Sequence, residues 1–218
     1  LKIDLHTHTS YGSSCSYMDP DQLVIRAKSV GLDGVCITEH DQLWDEDAIA
    51  RLGRKHDFLV IGGVEVGTDC GHILVFGLHR SVKHVYYVQD LHDMVAEAGG
   101  AMIMAHPFRY EPELVAAFSS SKNGWPAMES VCSREVFQLV DALEIYNGRS
   151  GFHEKRLTSL VAERRRLSGT GGSDAHAGLE VGACYSVFEE TIRDEKDLIV
   201  QLKKGTYHGV DPRWGASL

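Results

Sequence analysis

The feature that most constrains the fold is an alternation. Short, nearly continuous apolar runs recur along the 218 residues, separated by stretches with helical spacing. The runs are KIDLHTH (2–8), DGVCITEH (33–40), FLVIGGVEV (58–66), HILVFGL (72–78), AMIMAHP (101–107), ALEIYNG (142–148), SGTGGSDAH (168–176) and CYSVFEE (184–190). Several are β-branched and aliphatic almost throughout, as suits parallel strands covered on both faces. Between them, Asp19-Pro20 supplies an N-cap and a proline at the first helical position, and Gly31 closes that helix. Further helices are expected over 88–98, before Gly99-Gly100, over 150–166, and over 193–204, before Gly205. This is a βαβ pattern, which predicts right-handed crossovers and a parallel sheet or closed barrel. We read residues 1–218 as one α/β domain, with 118–132 as the longest loop-like insertion and a place for specificity.

The polar residues sit where this pattern breaks its own rule. His6 and His8, His40, Glu65, His106, and Asp174 with His176 fall at the C-terminal ends of five different runs. In a parallel barrel those ends converge on one rim, where ligands bind. Singly, each has an ordinary explanation: H-x-H recurs by chance, a strand-end histidine is commonly structural, and SDAH suits a helix N-cap. Together they make a poor coincidence, because buried polar groups are costly unless paired or bound to something. Imidazoles and carboxylates without a thiolate suit zinc, manganese or iron, and neighbouring ions of this kind can share a hydroxide nucleophile.

Composition narrows the setting. Five scattered cysteines with no C-x-x-C pair fit neither a disulfide framework nor a thiolate zinc site, so free thiols in a reducing compartment are expected. No apolar run is long enough to cross a bilayer and no secretory pattern opens the chain, so we expect a cytoplasmic protein without membrane partners. A formal charge of −9 disfavours a stable nucleic-acid complex, although bound divalent cations would offset much of it.

HTH at 6–8, TEHD at 38–41, GVEV at 63–66, GHILVFGL at 71–78, AHP at 105–107, EIYNG at 144–148 and GSDAH at 172–176 resemble the PHP (polymerase and histidinol phosphatase) family. The resemblance implies a distorted (β/α)7 barrel, TIM-like, with two or three divalent ions (Zn, Mn or Fe) at the C-terminal rim. It assigns His6, His8, Glu65 and Asp174 to a first metal. Glu65 would bridge to a second, held also by His72 and His106, and His40 and His176 would serve a third. His72 comes from the family pattern alone, with His79 as its rival. Many relatives carry an Asp or His about five or six residues after the H-x-H pair. Here Ser13, Ser14 and then Cys15 occupy those places. A serine is a poor ligand and Cys15 binds only as a thiolate. The third ion is therefore expected to be weakly held, or completed by water, substrate phosphate or Asp41.

Arg109 and Arg149 follow strand ends and are candidates to grip a phosphate. Glu144 is a candidate to orient a ligand. Arg164–Arg166 reads as a solvated helix end, and His56, His84, His92, His153 and His208 as structural or exposed. The function expected is phosphoester hydrolysis by a metal-bound hydroxide, with His176, Arg109 and His40 as catalytic candidates. The substrate would be a small phosphomonoester, a nucleotide or a short oligonucleotide. An amidohydrolase-type enzyme and a non-catalytic PHP-like binding module are the alternatives.

Overall fold

The structure, a computed structural model, describes residues 1–121, 125 and 127–214. Its strands are β1 (Lys2–Thr7), β2 (Gly34–His40), β3 (Leu59–Thr68), β4 (Gly71–Phe76), β5 (Ala101–Met104), β6 (Ala142–Asn147), β7 (Ser168–Gly172), β8 (Tyr185–Phe188) and β9 (Tyr207–Val210). The helices are α1 (Pro20–Ser29), α2 (Glu46–His56), α3 (Val88–Ala98), α4 (Pro112–Ser120), α5 (Met128–Cys132), α6 (Val136–Leu139), α7 (Phe152–Arg165) and α8 (Glu195–Lys204).

Among the described residues the strands form one sheet in the order β7-β6-β5-β4-β3-β2-β1-β8-β9. The sheet then curls until β7 meets the β1 side. Asp174 N donates to His6 O at 2.7 Å and His8 N to Ala175 O at 2.9 Å. The Ser186 hydroxyl of β8 accepts from Gly171 N at 2.9 Å and donates to Gly171 O at 3.0 Å. The buried Asp4 carboxylate adds a stitch, accepting from Ser173 N at 2.8 Å and Gly182 N at 3.0 Å. At Gly209 of β9 a Cβ would stand 2.5 Å from the Thr170 backbone, so only glycine permits this crossing. The result is the expected α/β barrel, TIM-like and nearly closed.

Leu198 and Leu202 of α8 pack with Ile3, Leu5, Cys36, Ile61, Leu74, Phe76 and Ile103, so the apolar face of α8 covers the barrel's inner residues while Val200 and Lys203 face solvent. Burying each such leucine contributes about 1.5–3 kcal/mol. Val35 and Ile37 of β2 pack outward on α1 and α2, and Val64, Val66 and Met102 pack toward α3 and α7.

Three features depart from the sequence reading. β4 runs antiparallel to both β3 and β5, because the two residues Asp69 and Cys70 allow a hairpin and no crossover. α2 lies in a stretch with no expected helix, where Asp45 caps Ala48 N at 2.9 Å and Ile49 and Leu52 are buried. Part of the expected loop 118–132 is helical: α4 starts at Pro112 and continues to Ser120, and α5 begins at Met128. Residues 122–124 and 126 of that stretch lie outside the described residues. All five cysteines are free. No helix among the described residues is long and apolar enough to cross a membrane.

Candidate metal centre

Strict alternation along KIDLHTH would put His6 and His8 on the face opposite Ile3 and Leu5. The observed register avoids this. Asp4 pairs with Val35 and Thr7 with Ile37, so three steps of β1 span two of β2. Such a slip re-aims side chains. It turns His6 and His8 toward the barrel interior while Leu5 stays in the inner cluster. β6 slips in the same way between Glu144 and Tyr146, beside the site.

The neighbouring strands bring the remaining groups to the same rim. His40 ends β2 directly opposite Glu65 of β3. β4 descends from the rim, so its first residues lie at the height where β3 ends, and His72 reaches the cluster from there. His106 and Asp174 follow β5 and β7 with φ of 29° and 55°, in the left-handed region. Conformations of this kind in non-glycine residues cost about 1–3 kcal/mol each and persist where the surroundings impose them.

Glu65, almost fully buried, is the hub. Its Oε1 lies 2.8 Å from His72 Nδ1 and 3.0 Å from His106 Nε2. Its Oε2 lies 3.0 Å from His40 Nδ1 and 3.3 Å from both His6 Nε2 and His8 Nε2. Asp174 Oδ1 stands 3.4 Å from His8 Nε2, 3.6 Å from His6 Nε2 and 3.5 Å from His176 Nδ1. The rings of His8 and His40 stack at 4.3 Å, and His176 lies tilted against His8 at 4.4 Å. Among the described residues ligand atoms converge in four sets: His6-His8-Glu65, His6-His106-Asp174, His40-Glu65-His72 and His8-His40-His176.

Whether this donor set fits metal ions can be decided from its hydrogen bonds. His6 Nδ1 sits 3.0 Å from Glu144 Oε1, a carboxylate that only accepts, so that nitrogen carries the proton. In the neutral ring His6 Nε2 is then the lone pair, and it faces His8 Nε2 at 3.1 Å, the Glu65 Oε2 and Asp174. Glu65 Oε2 is buried and makes no hydrogen bond in spite of three imidazole nitrogens nearby. Acceptors facing one another in a buried site call for a cation, and the residues present fit divalent metals.

Without a metal ion, the same crowding of acceptors draws a second proton onto His6. Burial pulls His6 toward neutrality, but Glu144, Asp174 and Glu65 outweigh it and hold its imidazole well above the usual range. Burial likewise pushes Glu65 and Asp174 up, yet the positive His6 beside them keeps both far below the ordinary carboxylate range, with His106 and His40 assisting at Glu65 and His8 and Arg109 at Asp174. His106 and His176 are pulled down chiefly by burial, which favours the neutral, ligating form.

A ring of polar groups supports the cluster. Glu144 Oε2 accepts from His106 N and from Asn147 Nδ2, each at 3.0 Å. Arg109 is committed to this ring: Nη1 donates to Asp174 Oδ2 at 2.6 Å and Nη2 to Asn147 Oδ1 at 2.5 Å. Arg149 is exposed, with Nη1 2.9 Å from His176 Nδ1. His79 lies at the opposite end of β4, between Glu46 at 3.0 Å and Glu195 at 3.3 Å. Asp41 Oδ1 accepts from Gly67 N at 3.1 Å and Cys15 is exposed; neither joins a converging set of ligand atoms among the described residues. Arg164 and Arg166 are exposed at the end of α7 as expected, with Arg166 in the left-handed cap position, whereas Arg165 is half-buried and its Nε is enclosed without a hydrogen-bond partner.

Sequence reasoning passed over Asp4, Asn147 and Glu39. Glu39 had a signal, a carboxylate inside the otherwise apolar GVCITEH, and it is fully buried beside Ser13. Asn147 was masked by its glycine neighbour, since Asn-Gly reads as a turn.

A cavity of 430 Å³ opens next to His72 and His106 and is lined by Tyr110, Glu111 and Arg134 among others. Arg134 and Glu111 pair in bidentate fashion there at 2.6 and 2.7 Å. Another cavity, of 470 Å³, lies against α2, β3 and the start of α8 and contains none of the cluster.

Comparison with known proteins gives consistent matches. Residues 4–164 match the PHP domain and residues 153–207 the PHP-associated region. An uncharacterized protein of Methanocaldococcus jannaschii is 28% identical over 200 residues, covering 90% of this chain and 74% of that protein. A two-domain Bacteroides vulgatus protein containing a predicted PHP-like metal-dependent phosphoesterase superposes with a TM-score of 0.66 at 18% identity, over 96% of this chain and 64% of its own. An amidohydrolase from Chromobacterium violaceum, solved with bound sulfate and no metal, superposes with a TM-score of 0.63 at 16% identity, over 97% and 98% of the two chains.

Proposed function

The chain belongs to the PHP family, and on that premise we propose that it hydrolyses a phosphoester at the rim cluster. The observation that carries the reading is the set of five imidazoles around the buried Glu65, with Asp174 completing it and Arg149 exposed at the mouth. His6, His8, Glu65 and Asp174 would hold one ion, and Glu65, His72 and His106 a second. His40 and His176, with His8 beside them, would hold a third more weakly, having no carboxylate of their own. Zinc, manganese or iron suits this donor set. The chemistry such ions supply when bound is activation of water near neutral pH and neutralisation of charge on phosphoryl oxygens.

The chain's own groups do the rest. Arg109 keeps Asp174 aimed into the cluster through its two-pronged contact, and its position at the mouth favours the same charge that a phosphate carries. Arg149, free of a carboxylate partner in the contacts described above, meets a phosphate oxygen. His176 stands beside Arg149 and, when not holding the third ion, takes a proton from solvent and passes it to the departing oxygen. His40 lies at the exposed edge, and serves a metal or that same proton transfer. The leaving group occupies the cavity beside His72 and His106, where the Tyr110 ring stands 5.6 Å from His72 and 6.1 Å from His106. A volume of 430 Å³ suits a small phosphomonoester, a nucleotide or the end of a short oligonucleotide.

The test is a substrate screen on chain stripped by chelator and reloaded with Mn2+ or Zn2+. Phosphomonoesters, nucleotides, short oligonucleotides and amides are offered side by side. Phosphoester cleavage that vanishes on stripping and returns on reloading is expected. Amide cleavage alone, or no cleavage by fully loaded chain, overturns the reading.

A further inference from the structure

The carboxylate missing from the stretch after His8 is present one step further out, on β2. The Glu39 side chain is fully buried. Its Oε1 accepts from Trp44 Nε1 at 3.1 Å and from the Thr9 hydroxyl, and its Oε2 from Thr9 N at 3.1 Å and the Ser13 hydroxyl at 2.5 Å. Gly12 makes room for it, since a Cβ there would stand 2.6 Å from Glu39 Cγ. Ser13 Oγ in turn lies 3.3 Å from His8 Nδ1 and 3.3 Å from the backbone N of His40.

A serine hydroxyl has one proton and two lone pairs. The proton goes to Glu39, whose carboxylate only accepts, and one lone pair receives the His40 N–H. Only a lone pair remains for His8, so His8 Nδ1 must carry the hydrogen. Its Nε2 is then the nitrogen free to give a lone pair to a cation between it, Glu65 Oε2 and Asp174 Oδ1. His6 reaches the same state by direct contact with Glu144. We infer that Glu39 and Ser13 form a serial relay that fixes the tautomer and orientation of His8, with Glu39 as a positioning residue and Ser13 as its link. The relay rests on the metal-centre reading for its purpose, but the hydrogen it holds on Nδ1 is there without metal. It replaces a ligand in the first coordination sphere by a lock on one in place.

The experiment has two arms, on wild type, Ser13→Ala, Glu39→Gln, the double variant and Ser13→Thr, with circular dichroism melts confirming folding. In the metal-free chain, nitrogen NMR of the His8 ring (assigned by its loss in His8→Asn) should show Nδ1 fully protonated in wild type and Ser13→Thr. That preference should disappear in Ser13→Ala and Glu39→Gln. In the second arm Mn2+ is titrated against a chromogenic chelator. Each single variant should weaken the tightest equivalents about tenfold to hundredfold, as loss of an outer-shell partner does. The double variant should be no weaker than the poorer single, because links in series fail together. A wild-type His8 with an unprotonated Nδ1, affinities within about twofold of wild type, or additive losses would overturn the relay. A wild-type chain that takes up neither Mn2+ nor Zn2+ removes the phosphoesterase reading, while the metal-free arm still decides the relay.

Discussion

Glu144→Gln separates a metal-orienting role from a scaffolding one. The carboxylate accepts three hydrogen bonds: His6 Nδ1 on Oε1, and His106 N with Asn147 Nδ2 on Oε2, all at 3.0 Å. Glutamine has one oxygen and one NH2, so one side must change sense. Placing NH2 on the Oε2 side sets it against two donors, and leaving buried donors unsatisfied costs about 1–3 kcal/mol each. Placing it on the Oε1 side costs less, because the His6 imidazole can move its hydrogen to Nε2 and accept instead. That hydrogen then points into the cluster, where His8 Nε2 lies 3.1 Å away, and His6 no longer has a lone pair for a metal. The metal-free chain should therefore lose only about 1–2 kcal/mol, as charge-assisted bonds become neutral ones. The metal affinity should fall about tenfold to hundredfold. Denaturant unfolding of the stripped chain and Mn2+ competition against a chelator read the two quantities separately. Wild-type affinity in Glu144→Gln, or collapse of the metal-free fold, would refute the reasoning.

Other outcomes follow from the same geometry. Gly172→Ala would bring a Cβ to 2.5 Å from His6 Cβ and 2.7 Å from Glu144 Oε1, so it should cost about 1–3 kcal/mol in denaturant unfolding and weaken metal uptake. Arg109→Lys cannot span Asp174 and Asn147 together, so metal retention during dialysis should fall even though the charge is kept. Lys155→Met breaks a buried pair with Asp211, at 2.5 Å; because Arg213 also holds Asp211, the loss on unfolding should lie near 3 kcal/mol, about the lower end for such pairs. Mn2+ at about a thousandfold over its dissociation constant should stabilise the stripped chain by about 4 kcal/mol, seen as a raised Tm.

Much of the site could be read in the sequence because metal ligands sit at strand ends, where polar residues interrupt apolar runs. His6, His8, His40, Glu65, His106, Asp174 and His176 all show that contrast. The reach of His72 depends on β4 running downward, which follows from a two-residue link that no apolar pattern marks. The slip in β1 was hidden because it leaves every residue in place and changes only which face each one takes. Glu39 and Asp4 were hidden for a related reason: a carboxylate within a strand looks like a solvent-facing position until its donors are known, and those come from Thr9, Ser13 and Trp44 for one and Ser173 and Gly182 for the other. The helix α2 escaped because its core face is only Ile49 and Leu52 among charged residues.

The central claim is that the rim cluster around Glu65 is a multinuclear metal centre. Anomalous scattering from crystals grown with Mn2+ or Zn2+ tests it most directly. The account predicts at least two peaks touching the Glu65 carboxylate, one beside His6 and His8 and one beside His72 and His106, with weaker density toward His40 and His176. No peak at Glu65, or metal bound only elsewhere on the surface, would contradict it.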